Sequence, residues 1–209
     1  MPAIPMFPLG SVLFPSLVLP LHIFEPRYRA LIHDVLDGDR EFGVCLIERG
    51  AEVGGEDVRT TIGTVAQVHE AEELPDGRWA VVAVGVRRIR VERWLPDDPY
   101  PRAEVVDLPD PEPSASEVEV LPEVVARLRT ALARAAELGD TAVPATVELS
   151  IDPAMASHQA SALAPIATID QHALLSAETV GLRLARLHDL LGDAIEVLDL
   201  RLAAEGPGS

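Results

Sequence analysis

Phe7-Pro8-Leu9-Gly10, Leu13-Phe14-Pro15 and Leu19-Pro20-Leu21-His22-Ile23-Phe24-Glu25-Pro26-Arg27-Tyr28 follow one another along a stretch where apolar pairs are punctuated by proline. Each proline fixes φ and biases its predecessor towards the β region, so the stretch reads as short extended pieces. Proline cannot donate to a sheet ladder, which assigns these pieces to edges, bends or strand starts. Working outward, Tyr28, Leu31, Ile32, Val35 and Leu36 recur at helical spacing, and Asp37-Gly38-Asp39 closes that helix. Glu25 and Arg27 flank Pro26, which suits a local pair fixing the start of the helix.

Strand signals dominate up to about residue 112. Phe42-Gly43-Val44-Cys45-Leu46-Ile47 is a short continuous apolar run, the pattern of a strand buried on both faces, and Cys45 inside it reads as an inert core thiol. Arg59 to Val68 mixes Thr, Ile and Val around Gly63 and predicts another strand. Leu74-Pro75-Asp76-Gly77-Arg78 is a hairpin turn, because Asp-Gly tolerates the positive φ such turns need. It leads into Trp79 to Val86 and then Arg87 to Trp94, where Ile89 and Val91 alternate against Arg88, Arg90 and Glu92. Arg102 to Asp107 supplies a last strand, and five or six short curved strands suggest a small, partly closed barrel.

Residues 115 to 204 carry helix patterns instead. Ser116 with Glu119 reads as a capping box opening a helix to about Leu138, with Leu121, Val124, Val125, Leu128 and Leu132 as its apolar stripe. Asp152-Pro153 opens a shorter helix that Pro165 ends, and Asp170 is a candidate cap for a helix over Gln171 to Leu175. Val180, Leu184, Leu187, Leu191, Ile195, Leu198 and Leu202 mark one face of a final helix from about Ala177 to Ala203, roughly 40 Å long at 1.5 Å per residue. Gly139 to Ile151, rich in Thr, Val and Pro, is β-prone by composition. Strands segregated from helices define the α+β class. The seam is the stiff connector Leu108-Pro109-Asp110-Pro111-Glu112-Pro113-Ser114, dividing a barrel at 1–112 from a helical part at 115–204.

The order of the opening residues resembles the start of the Lon N-terminal domain, the substrate-recognition module of Lon-type ATP-dependent proteases. Gly43-Val44-Cys45-Leu46-Ile47, Ile62-Gly63-Thr64-Val65-Ala66, Leu74 to Arg78 and Val84-Gly85-Val86-Arg87-Arg88-Ile89-Arg90-Val91 resemble successive blocks of that family in its order. Asp170-Gln171-His172-Ala173-Leu174-Leu175, followed by Arg183-Leu184, resembles its helical portion. The resemblance implies a PUA-like β-barrel (a pseudobarrel) followed by a C-terminal α-helical bundle, together one Lon N-terminal-like domain. It also implies a stand-alone form of the family, without ATPase or peptidase.

The chemistry of those two activities can be examined directly. A P-loop needs a lysine to reach the β- and γ-phosphates, and the Lon-type peptidase uses a lysine-activated serine. All 17 basic residues here are arginine, which stays protonated and cannot act as the base. The reading is a non-enzyme with no cofactor. The six histidines lack metal-ligand spacing, and His69-Glu70 beside Glu72 and Glu73 reads as a solvated acidic edge because consecutive strand residues alternate faces. Ser176, between two apolar helices, reads as a helix cap.

Composition narrows the partners. A net charge of −17 argues against nucleic acid and anionic membrane. The N-terminus has five prolines in its first 20 residues and no positive charge before Arg27, unlike a signal peptide, and no run approaches the roughly 18 apolar residues that span a bilayer. A single cysteine precludes an internal disulfide, and the chain reads as cytoplasmic. Arg87, Arg88, Arg90 and Arg93 are the one basic concentration, interpreted as an ion-pair face. Phe14, Leu17, Leu19 and Trp94 are the candidates for an apolar, polypeptide-binding patch. The favoured function is recognition of unfolded or damaged polypeptide, with a role as adaptor for a separate ATP-dependent protease, leaving self-association open. The alternative is RNA binding, by analogy with PUA barrels.

Overall fold

The computed structural model describes residues 3–49, 58–141 and 143–205, and it divides into two compact units, Met1–Pro109 and Asp110–Ser209. The first holds β1 (Ala3–Leu9), β2 (Val18–Ile23), α1 (Pro26–Asp37), β3 (Glu41–Arg49), β4 (Val58–Glu73), β5 (Trp79–Leu95) and β6 (Arg102–Asp107). The strands lie in the order β2-β5-β4-β3-β1-β6, and β6 also pairs with β5. That extra pairing closes β5-β4-β3-β1-β6 into a ring and leaves β2 outside it. β1 and β3 run parallel; the other pairs are antiparallel.

Alternation along the strands feeds two apolar clusters on opposite faces of the sheet. Phe7, Val44, Ala66 and Val81 join Tyr28, Leu31, Ile32 and Val35 of α1 in the larger one. Met6, Cys45, Val65, Ile89, Val91 and Val105 form the other. The continuous apolar run at Phe42–Leu46 is buried on both faces, and Cys45 is a buried thiol outside any disulfide. The scarce aromatic residues are concentrated where α1 meets the sheet: Phe7 and Tyr28 stack at 4.2 Å between ring centroids. Arg27 Nε donates to Glu25 at 3.1 Å, the local pair expected ahead of α1.

Three details of β4 and β5 depart from the sequence reading. β4 continues to Glu73, well beyond Val68, because pairing with β5 carries its acidic end as a ladder where apolar alternation fails. Single extra residues, His69 on β4 and Val86 on β5, shift the register and bend the hairpin. Arg88 is 3% exposed, unlike its alternation partners Arg90 and Glu92; it pairs with the fully buried Thr64, which lies under the segment preceding β2. Thr64 Oγ1 donates to the Leu13 carbonyl at 2.6 Å, Ser16 N to Gly85 O at 2.7 Å, and Gly85 N to Leu17 O at 3.0 Å. These bonds pull the backbone onto β5 so closely that a Cβ on Gly85 would stand 2.3 Å from the Phe14 carbonyl oxygen.

The second unit holds α2 (Ala115–Val118), α3 (Leu121–Glu137), α4 (Pro153–Leu163), α5 (Thr168–Leu175) and α6 (Val180–Glu205). The capping box belongs to Ser114 and Glu117, two residues before the predicted pair. The helix expected to run unbroken to Leu138 is split, because Pro122 can occupy only the first turn of a helix and so starts α3. Asp152 caps α4 by accepting from Met155 N at 2.8 Å, as the sequence indicates. α5 begins earlier than predicted, at Thr168, which leaves Asp170 in its first turn, where a carboxylate favours the positive end of the helix. Thr179 caps α6 through Leu182 N, at 3.1 Å, which moves its start to Val180. The described residues between α3 and α4 form turns and irregular backbone with no strand.

A buried polar cluster ties the first residue of this unit to its helices. Arg183, with 0% exposure, donates to Asp110 Oδ1 at 2.6 Å, to Ser157 Oγ at 2.9 Å and to the Leu174 carbonyl at 3.1 Å. His158 Nε2 lies 2.8 Å from the other Asp110 oxygen. Burial raises the Asp110 carboxyl, but hydrogen bonds from His158 and Arg183 outweigh it and hold the pKa down at about 2.

Two predictions follow from these contacts. Gly85→Ala should destabilise the protein by about 2–3 kcal/mol, since the atom its Cβ meets is backbone and cannot swing aside; an unchanged urea midpoint would contradict the packing described. Asp110→Asn should cost about 3 kcal/mol by stranding a buried guanidinium. Because the folded pKa of Asp110 lies below its ordinary value, its stabilisation is complete above about pH 4 and is lost as pH falls towards 2. Acid titrations of the unfolding free energy should therefore be flatter in this range for Asp110→Asn than for the wild type, and parallel curves would count against the cluster.

Candidate functional site

The second half of β4 and the first half of β5 do not share the ring's symmetry. Beyond Gln67, which pairs with Glu41, β4 leaves β3 and continues with β5, and β2 lies on β5's other side. The result is a three-stranded arm, β2-β5-β4. Its cross-strand rows are Pro20, Val82 and Glu70, then His22, Ala80 and Glu72. Residues in a row share a face, so this outer face carries an apolar middle, a mixed margin on β2 and two carboxylates on β4. The opposite face presents Leu19, Leu21 and Ile23 towards the larger core cluster.

β2 has β5 as its sheet neighbour, and its other edge is open among the described strands. The bond from Gly85 N to Leu17 O sets the phase of the ladder, making Val18–Val84 and Pro20–Val82 non-hydrogen-bonded pairs. The N–H groups of Val18 and His22, and the carbonyls of Val18, Pro20 and His22, therefore point to the open edge. Pro20 is tolerated because its nitrogen faces outward, and it leaves a gap between the two donors. Val18 is 61% exposed, and Phe24, just past the strand, is 57% exposed. Phe24 shares the lining of a pocket of about 130 Å³ with Phe7, Leu9, Leu21, Ile23 and Tyr28, and His22 and Glu25 add polar groups to it. Its volume is of the order that holds one apolar ring.

The residues singled out from sequence are distributed differently. Phe14 is fully buried and unavailable at the surface, because the crossing over Gly85 presses it into the core. Leu17 and Leu19 are half-buried against the larger cluster, next to the open edge. Trp94 lies at the far end of β5 against the other cluster, its ring covered by the Arg59 guanidinium at 5.0 Å; Asp97 holds that guanidinium with two bonds of 3.1 and 2.8 Å. The four are thus not gathered into one face. Val18, Phe24 and Val82 were missed, although the alternation of Val18, Pro20 and His22 against Leu19, Leu21 and Ile23 was available as a signal.

The remaining chemistry-bearing residues are engaged elsewhere. Glu41 and Asp107 bind Arg87, at 2.7 and 3.0 Å, and keep it charged; Arg90 pairs with Glu92, and Arg93 with Glu104. Ser176 Oγ donates to the His172 carbonyl at 2.8 Å and terminates α5. Ser157 is fully buried, with its hydroxyl donated to the Ala154 carbonyl at 2.7 Å. Among the described residues no group of His, Cys, Asp and Glu is placed to hold a metal ion, and no described helix is long and apolar enough to cross a membrane.

A closed ring of strands with one strand left outside, followed in the chain by a helical unit, defines the class of protein. The family model described as the ATP-dependent protease La (LON) substrate-binding domain matches residues 3–193, and the chain belongs to that family. It is 30% identical over 201 residues to Lon protease 2 of Herpetosiphon aurantiacus; the match covers 94% of this chain and 24% of that protein. The Lon protease of Koribacter versatilis is 28% identical over 203 residues, with 95% of this chain and 25% of that protein covered. The crystal structure of a Lon N-terminal domain protein from Xanthomonas campestris superimposes with a TM-score of 0.66 at 27% identity, covering 90% of this chain and 97% of that one. The N-terminal domain of the Mycobacterium avium complex Lon protease has the same fold, with a TM-score of 0.68 at 19% identity over 92% of this chain and 99% of that one.

Proposed function

We propose that this chain recognises non-native polypeptide and that the β2-β5-β4 arm is where it does so. The observation that carries the reading is the open β2 edge with Val18 and Phe24 exposed beside it. An extended segment pairs with the outward amides of Val18 and His22, and its apolar side chains cover Val18 and reach the pocket that Phe24 helps to line. Folded proteins keep their backbone groups and apolar side chains satisfied internally, so they offer this edge nothing. Membership in a substrate-binding family supports the same role. We infer further that the chain performs no catalysis itself and hands its clients, in the cytoplasm, to a separate ATP-dependent protease. The RNA-binding alternative gains no support from Arg87, Arg90 and Arg93, which are committed to acidic neighbours.

Fluorescence anisotropy with a carboxymethylated, permanently unfolded protein and with its native form tests the reading. The unfolded form should bind and the native form should not, and Val18→Asp should weaken binding by about ten-fold through a charge placed in the apolar contact. Equal, negligible affinity for both forms would remove the hypothesis. Protein purified to homogeneity should neither hydrolyse ATP nor release peptides from casein; activity that co-purifies with the chain and vanishes on a point substitution in it would overturn the non-catalytic part.

A further inference from the structure

The outer face of the arm is more specific than an apolar edge. Its middle row is built from Ala80 and Val82, small enough to leave a groove of about 360 Å³ running along β5. Pro20 and His22 form one wall, and Glu70 and Glu72 form the other. Both carboxylates are exposed, and neither makes an ion pair among the described residues. Glu41, Asp76, Glu92, Asp97, Glu104 and Asp107 of this unit each hold an arginine, whereas Asp37, Asp39, Glu73 and Asp98, like Glu70 and Glu72, hold none among the described residues; what sets Glu70 and Glu72 apart is the apolar floor beside them. The groove therefore offers two unneutralised anionic groups beside an apolar floor.

We propose that this groove takes an extended, cationic stretch of the bound polypeptide, with basic residues two positions apart. The proposal rests on the polypeptide-recognition reading and names the class of segment that the arm prefers. Geometry fixes the spacing. Glu70 and Glu72 follow each other on one face of β4, about 7 Å apart at roughly 3.4 Å per residue, and an extended ligand repeats its own side chains at the same interval. Arginine and lysine have long apolar stems with a charged head. Their stems lie over Ala80 and Val82, and their heads reach Glu70 and Glu72. A segment with acidic side chains at these positions meets like charge and is refused. The same device distinguishes the groove from the general attraction that a chain of net charge −17 exerts on any cation. Bulk attraction counts charges, whereas the groove reads their spacing.

The test uses the full chain and four labelled peptides of about twelve residues built on one neutral, alternating Val-Ser sequence. One peptide is that sequence unchanged. A second carries Arg at two positions two apart, a third carries the same two Arg three apart, and a fourth carries Glu at the positions used in the second. The peptide with Arg two apart should bind about five- to ten-fold more tightly than both the neutral peptide and the peptide with Arg three apart, the range two exposed ion pairs can supply. Its advantage should shrink with added salt. Glu70→Gln/Glu72→Gln should abolish the advantage and leave binding of the neutral peptide unchanged. Equal binding of the two Arg peptides, or an advantage that survives the double substitution, overturns the proposal. Equal binding of the neutral and Arg peptides overturns the charge preference while leaving polypeptide recognition intact. Failure of every peptide to bind, with the unfolded protein also unbound, overturns the recognition reading and the groove with it.

Discussion

The close passage of the Phe14 backbone over Gly85 is the constraint on which the first unit depends. A carbonyl oxygen standing 2.3 Å from where a Cβ would be admits only glycine at that position, and the hydrogen bonds at Ser16 and Leu17 hold the crossing there. The crossing brings the chain out against the first half of β5, where β2 begins at once, paired through Val18 and Val84. Val86, the extra residue immediately after, bends β5 so that its second half turns to β6 and closes the ring. One backbone contact thus separates a strand that is shared twice from a strand that is left outside. Gly63 plays a comparable part across β3 and β4, where a Cβ would stand 2.2 Å from the Val44 carbonyl oxygen.

Function, in this account, arises from what closure leaves over. A ring removes sheet edges, which is how small barrels avoid unwanted pairing. β2 escapes that protection, and Pro20 both marks and limits its exposure by deleting one donor from the edge. An edge with two donors and a gap is a weak template for indiscriminate sheet growth, yet adequate for transient pairing aided by Val18 and Phe24. The carboxylates of Glu70 and Glu72, two strands inward on the arm's outer face, add a preference through a further, basic stretch of the same polypeptide lying in the groove over β5. The helical unit contributes a different kind of order: Asp110 binds both Arg183 and His158 inside it, and Ser157 and the Leu174 carbonyl take the other Arg183 bonds, which makes these conspicuous polar residues structural.

Much of this was legible in the chain. The period-2 and period-3.6 patterns separated strands from helices, the run at Phe42–Leu46 announced a doubly buried strand, and Asp152-Pro153 marked the start of α4. The failures have physical causes. Ser116 and Glu119 have the spacing of a capping box, but Ser114 and Glu117 have it too, and only the folded chain chooses between them. Glu70, Glu72 and Glu73 conceal the end of β4, because a solvent-facing ladder does not need apolar alternation. Phe14 stood as a candidate for the apolar patch because nothing local reveals that the segment around it crosses a sheet formed by residues more than fifty positions later. Ring closure through β1 with β3 and β6, and through β5 with β6, is likewise non-local. The free edge is the remainder of that closure, so the candidate site could not be located before the topology was known.

The most direct measurement is residue-resolved hydrogen exchange on the full chain, with and without saturating carboxymethylated unfolded protein. The backbone amides of Val18 and His22 face the open edge and have no ladder partner from β5. The account predicts that exchange at these two amides slows by about ten-fold or more on binding, as it does when a solvent-facing amide enters a ladder. Unchanged exchange at Val18 and His22, with client-dependent protection confined to residues outside the β2-β5-β4 arm, would contradict it.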